Sequence, residues 1–130
     1  MDVLSSRILL RPTDLERSQR FYRDTLGLAI MREFGPAEHR GIVFYLGNGL
    51  LEVSGSTSTA ATHTTSLWIQ VRDVAAEIAR LENVGHPIVA APRRQPWGLI
   101  EAWIADPDGV PIVLVEIPDD HPLRQDQRSL

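Results

Sequence analysis

The stretch DPDGVPIVLVEIP, Asp106 to Pro118, opens on a proline–aspartate–glycine turn and runs on as a strand over residues 112–117. Strand side chains alternate between the two faces of a sheet, so Val113 and Glu116, three positions apart, point to opposite sides. Whether this strand carries chemistry or only holds a fold together turns on that alternation. The rest of the chain decides what register the strand belongs to.

The same succession of patterns occurs twice. In the first half, residues 8–11 have strand character, and TDLERSQRFYRDTLGL follows as a helix, with Thr13 placed as N-cap and Glu16 completing a capping box. Leu15, Ser18, Phe21, Tyr22 and Leu26 fall on one side at helical spacing, and Gly27 supplies the stop. Extended segments are expected over 28–34, 42–46 and 50–53, the last entered through the turn GNG. In the second half SLWIQV, residues 66–71, reads as a strand, Asp73 as an N-cap, and Val74, Ile78 and Leu81 as a helical face that ends at Gly85. Strands are expected over 88–91, 99–104 and 112–117. Asp14 matches Asp73, Gly27 matches Gly85, and the Asn48-Gly49 turn matches Asp108-Gly109.

The reading is therefore an α+β fold of two βαβββ modules, 1–54 and 66–118, forming a curved mixed sheet with a concave cleft. The small polar segment 55–65 links them, and a polar tail, 119–130, is expected to fray or lie along a partner subunit. One module cannot cover both faces of its own sheet, and concave surfaces left by such pairing favour small ligands.

The bulk numbers bound the function. Hydrophobic residues make up 43% of the 130 and charged ones 23%, enough for a packed core. A net charge of −4 argues against a nucleic-acid partner. Arg17, Arg20 and Arg23, interleaved with Glu16 and Asp24, read as a solvated helix face. With no cysteine there is no disulfide, thiolate metal site or cysteine nucleophile. No apolar run is long enough for a membrane span, and MDVLSSRILLRP lacks the marks of a signal peptide, so a cytoplasmic protein is expected. LGNGL is a hairpin turn rather than a phosphate loop, and no Gly-x-Ser-x-Gly elbow is present.

DLERSQRFYRDTLGL (14–28), VRDV (71–74), PWG (96–98) and DPDGVPIVLVE (106–116) occur in an order that resembles the vicinal oxygen chelate superfamily, which includes glyoxalases, bleomycin-resistance proteins and extradiol dioxygenases. The resemblance spans residues 7–118 and implies the fold, not an activity, since the superfamily hosts both enzymes and metal-free drug-binding proteins. Its enzymes hold a divalent ion with side chains from the first and last strands of each module. Counted from the capping aspartates, those positions fall on Arg7, Glu52, Ser66 and Val113. Glu52 suits a metal; an arginine is always cationic and a valine has no lone pair. Glu116 and His63 have the wrong strand parity to stand in.

Other candidates follow. Arg7 and Glu52 are expected to project to the same side as an ion pair, or to hold an anionic or carbonyl ligand group with Glu52 as a candidate base. Three tryptophans stand out in a chain that is 6% aromatic. Trp68 and Trp103 read as core, dimer contact or ligand surface. Trp97 and Trp103 gain weight from the resemblance, because aromatic residues around this loop line a groove at the dimer interface of metal-free bleomycin-resistance proteins. Glu101 shares strand parity with Trp103 and faces a cationic ligand in that reading. His39, His63, His86 and His121 read as solvated loop or tail residues.

The expected protein is a metal-free, cofactor-free homodimer that sequesters an antibiotic or metabolite in a cleft lined by Arg7, Glu52, Trp68, Trp97, Glu101 and Trp103, with no nucleic-acid or membrane partner. The alternatives are a glyoxalase-like isomerase, lyase or dioxygenase with a rearranged or absent metal site, and a dimer with a purely structural or regulatory role.

Overall fold

The computed structural model describes residues 1–59 and 64–125, the last two by their backbone alone. His63 therefore lies outside the described residues, as does part of the expected 55–65 linker and the end of the 119–130 tail. Strand β1 (Ile8–Leu10), helix α1 (Leu15–Arg20) and strands β2 (Ile30–Phe34), β3 (Gly41–Leu46) and β4 (Gly49–Val53) form the first repeat. Strand β5 (Leu67–Gln70), helix α2 (Val74–Asn83) and strands β6 (Ala90–Arg94), β7 (Ile100–Ala105) and β8 (Pro111–Glu116) form the second, and a short helix α3 (Pro122–Gln125) follows.

Each repeat makes a four-stranded mixed sheet, in the orders β1-β4-β3-β2 and β5-β8-β7-β6. In both, the first strand runs parallel to the last and the remaining pairs are antiparallel. Parallel neighbours need a crossover connection, and the helix of each repeat lies on it. The α+β architecture of two βαβββ modules thus follows from one pattern used twice.

Helix α1 starts one residue later than the sequence placed it. Asp14, not Thr13, is the N-cap, its carboxylate accepting the Arg17 N–H at 3.0 Å. Thr13 is engaged elsewhere, its N–H and hydroxyl both donating to Asp108. The helix then widens into a π turn over Phe21–Thr25, where Leu26 N–H reaches Phe21 O at 2.8 Å, before Gly27 turns the chain at a φ of 75°. Phe21 and Tyr22 are buried, with Tyr22 edge-on to Phe21 at 4.9 Å and its ring 6.3 Å from that of Phe44 on the sheet. Gln19, a polar residue outside the apolar spacing, is buried because its amide donates to Arg40 O and Val53 O at 2.7 and 3.0 Å.

In the second repeat Asp73 caps α2 by accepting from Ala76 N–H. Val74, Ile78 and Leu81 bury as the spacing required, each burial contributing about 2 kcal/mol. Strand β6 begins later than the expected 88–91 segment, although Val89 N–H already bonds Trp103 O at 2.8 Å. Its Pro92 sits where the pairing with β7 shifts register, on an edge strand that tolerates the missing donor.

The chain divides into two compact units, Met1–Thr62 with Asp106–Gly109, and His63–Ala105 with Val110–Leu130. The turn at 106–109 is thus part of the first unit. Tyr22 donates its hydroxyl to Asp106 at 2.8 Å, and Asp108 accepts from Thr13 and, at 3.2 Å, from Arg17. Burial first, then the adjacent Asp106 charge, pushes the Tyr22 phenol far above its ordinary value, so it stays a donor. Asp108 N–H closes back on Asp106 at 2.8 Å, which shapes the turn itself.

Candidate functional site

In the first unit the register sets which side chains share a face. Leu9, Glu52, Val43 and Arg32 form one row across the sheet, because β1, β4, β3 and β2 pair at those positions. Arg7 and Arg11, two residues either side of Leu9, lie on the same face, as do Ser54 and Phe34. The geometry joins them. Arg7 donates to Glu52 Oε1 at 2.9 Å, Ser54 Oγ donates to Glu52 Oε2 at 2.6 Å, and Arg11 donates to Ser54 Oγ at 2.8 Å while lying 3.6 Å from Glu52 Oε2. Glu52 is part-buried beneath this cluster, its side chain 12% exposed against 35% for Arg7 and 47% for Arg11.

The Ser54 hydrogen bond, then those of Arg7 and the charges of Arg7 and Arg11, hold the Glu52 carboxyl below the usual carboxylate range, while partial burial works against them. Both oxygens are spoken for. The expected pairing of Arg7 with Glu52 is in the structure; Arg11 and Ser54 were missed. Strand alternation carried the signal, since Arg11 has the parity of Arg7 and Ser54 that of Glu52.

In the second unit Trp68, Val113 and Trp103 form one row across β5, β8 and β7, and Gln70, Val115, Glu101 and Arg93 form the next. Val113 is therefore flanked on both sides by tryptophans. Trp103 packs on the apolar cluster of Leu99, Val113, Val115 and Ile117, whereas Trp68 is 53% exposed. Trp97 stands on the hairpin loop between β6 and β7, and its indole N–H donates to Glu101 Oε2 at 2.9 Å. That bond places the exposed Trp97 ring beside Glu101 and occupies one carboxylate oxygen. The Gln95–Gly98 hydrogen bond at 2.8 Å and the Gly98 φ of 91° fix the loop.

Glu116 lies on the opposite face and accepts the Val74 N–H at 3.0 Å, so it serves the start of α2. Two histidines expected to be solvated have backbone partners. His86 Nε2 lies 3.0 Å from Ala105 O, and His121 Nε2 lies 3.0 Å from Trp97 O while its Nδ1 accepts the Leu123 N–H. A carbonyl only accepts, so both rings carry their proton on Nε2. His121 thereby ties the start of the C-terminal tail to the Trp97 loop.

The positions that would hold a divalent ion do not fit one. In the first unit they are a guanidinium and a carboxylate already bonded to it. In the second they are Ser66 and Val113, a hydroxyl and a hydrocarbon. Among the described residues no three His, Cys, Asp or Glu side chains gather as a metal would require. A cavity of about 340 Å³ lies on the first unit between Val3–Ser6 and Asn48–Leu50, but no candidate residue lines it and its walls bear no ionisable side chain.

The sequence profile of the Glyoxalase/Bleomycin resistance protein/Dioxygenase superfamily matches residues 5–114, and the chain belongs to that superfamily. No curated protein matches the chain. Among solved structures, it is similar to a superfamily member from Sphaerobacter thermophilus, with a TM-score of 0.73 at 20% identity over 88% of this chain and 98% of that one. It is also similar to TnmS3, an antibiotic binding protein from Streptomyces sp. CB03234, with a TM-score of 0.69 at 22% identity over 90% and 98% of the two chains. A lactoylglutathione lyase from Agrobacterium tumefaciens is similar at 20% identity, TM-score 0.68, over 89% and 94%. At such identities the likeness is one of fold. No helix among the described residues is long and apolar enough to cross a membrane.

Proposed function

We propose that the chain is a metal-free small-molecule-binding protein of the bleomycin-resistance kind, a homodimer that sequesters an antibiotic or metabolite without transforming it. The observation that carries the reading is the Arg7–Glu52–Arg11 cluster. It puts permanent cations and an already paired carboxylate where a metal enzyme needs lone pairs. Val113, flanked by Trp68 and Trp103, supports the same reading in the second unit. Sequestration needs shaped, partly apolar surface rather than an activated group. Trp68, Trp97 and Trp103 supply flat rings for stacking, Glu101 a carboxylate for a cationic group, and Arg7 and Glu52 the polar contacts of the first unit. TnmS3, an antibiotic binding protein, shares the fold.

The rival is a glyoxalase-like isomerase, lyase or dioxygenase with Glu52 as base, kept in view by the fold shared with a lactoylglutathione lyase. A carboxyl held below its usual range is a poor proton acceptor near pH 7, which counts against that role.

The test is protein purified without chelator, assayed for bound metal and for tryptophan fluorescence against aromatic and glycopeptide compounds. Saturable quenching, compounds recovered unchanged and a dimeric mass by light scattering are expected. Near-stoichiometric nickel, zinc, manganese or iron, or conversion of the bound compound, would overturn the proposal.

A further inference from the structure

We infer that the exposed β1 edge of the first sheet takes an oxyanion of the ligand, a carboxylate or a similar group, on the guanidinium groups of Arg7 and Arg11. The inference rests on the small-molecule reading above and adds the charge of what is bound. Three arginines, Arg7, Arg11 and Arg32, share this face with one carboxylate, Glu52, in a chain whose net charge is −4. A structural ion pair needs one cation per carboxylate. Here two guanidinium groups flank the oxygens of one part-buried carboxylate and are themselves more exposed than it is.

Their remaining donors matter most. A guanidinium has five N–H groups in a planar fork suited to a bidentate oxyanion. Arg7 uses Nη1 on Glu52, and Arg11 uses Nη1 on Ser54 Oγ and, at 3.4 Å, on Ser54 O. Glu52 thus orients both groups while cancelling only one of their charges. Arg32 sits on the same face with its guanidinium carbon 5.5 Å from the Phe34 ring centre, and no carboxylate pairs with it among the described residues. Leu9, 51% exposed, and Tyr45, 52% exposed, offer apolar surface on this face. The face therefore suits an amphipathic anion, with its charge on Arg7 and Arg11 and its body on the rows beside them.

Calorimetric titration of the full-length protein with 2-naphthoate, its neutral amide 2-naphthamide and the cation 2-naphthylmethylamine tests this. Naphthoate is expected to bind about tenfold more tightly than naphthamide, with a preference that shrinks in high salt. Arg11→Gln should remove most of the preference for naphthoate over naphthamide. Arg32→Gln, which breaks no side-chain hydrogen bond among the described residues, should weaken naphthoate a few-fold, and this variant keeps the test sharp if Arg11→Gln folds poorly. Equal binding of the three probes overturns the anion inference and leaves the small-molecule reading standing. Binding of none of them at millimolar concentration overturns both.

Discussion

Replacing Asp108 with asparagine keeps the size and shape of the side chain and removes its charge, at the point where the 106–109 turn meets the first unit. Asp108 accepts the Thr13 N–H at 3.0 Å, the Thr13 hydroxyl, and an Arg17 N–H at 3.2 Å, with only 7% of its side chain exposed. Asparagine has one acceptor oxygen, so its amide N–H₂ must face either the Thr13 N–H or the Arg17 side. The hydroxyl can rotate to accept; the other two partners cannot. Hydrogen bonds to a charged group contribute about 1.5–3 kcal/mol against about 0.5–1.5 for neutral ones, so two weakened bonds cost about 2 kcal/mol. Arg17 is 44% exposed, and losing its ion pair adds only a further ~0.5 kcal/mol. The total, about 2–3 kcal/mol, corresponds to a fall in melting temperature of about 10 °C for a chain of this size. Urea unfolding followed by circular dichroism measures it, with the denaturant slope expected to stay unchanged. Asp24→Asn is the control, because Asp24 is exposed and pairs with its neighbour Arg23 at 2.8 Å. A loss for Asp108→Asn no larger than that of the control would refute the assignment of the turn to the first unit.

Tyr22→Phe should cost about 1–2 kcal/mol, since it removes a donor from the buried Asp106 and fills the same space; urea unfolding reads it, and an unchanged midpoint contradicts the hydrogen bond. Glu52→Gln should lower stability at neutral pH by about 1 kcal/mol, the partners Arg7 and Arg11 being partly exposed. Because the folded Glu52 carboxyl lies below its unfolded value, near ~4.3, its contribution is complete above that pH and is lost as pH falls through the folded value. The gap between wild type and Glu52→Gln should therefore be flat from neutral pH down to about 5 and close on further acidification. A gap that widens in acid contradicts the environment assigned to Glu52.

The sequence by itself determined the repeat. Alternation within DPDGVPIVLVEIP, the helical spacing of Val74, Ile78 and Leu81, and the stops at Gly27 and Gly85 are local patterns, and they placed eight strands and two main helices close to where they lie. Strand parity also put Val113 and Glu116 on opposite faces and brought Arg7 to the side of Glu52. Tertiary structure decided the polar partners. Nothing local could show that Asp108 would accept from Thr13, 95 positions away. Nor could spacing alone show that Trp97 would bond Glu101, or fix the hydrogen bonds by which Arg11 and Ser54, which parity puts on the right face, close on Glu52. The physical reason is range. Side-chain periodicity follows from the backbone dihedrals of a few neighbouring residues, whereas a hydrogen bond needs donor and acceptor within about 3 Å, a separation that chain packing sets.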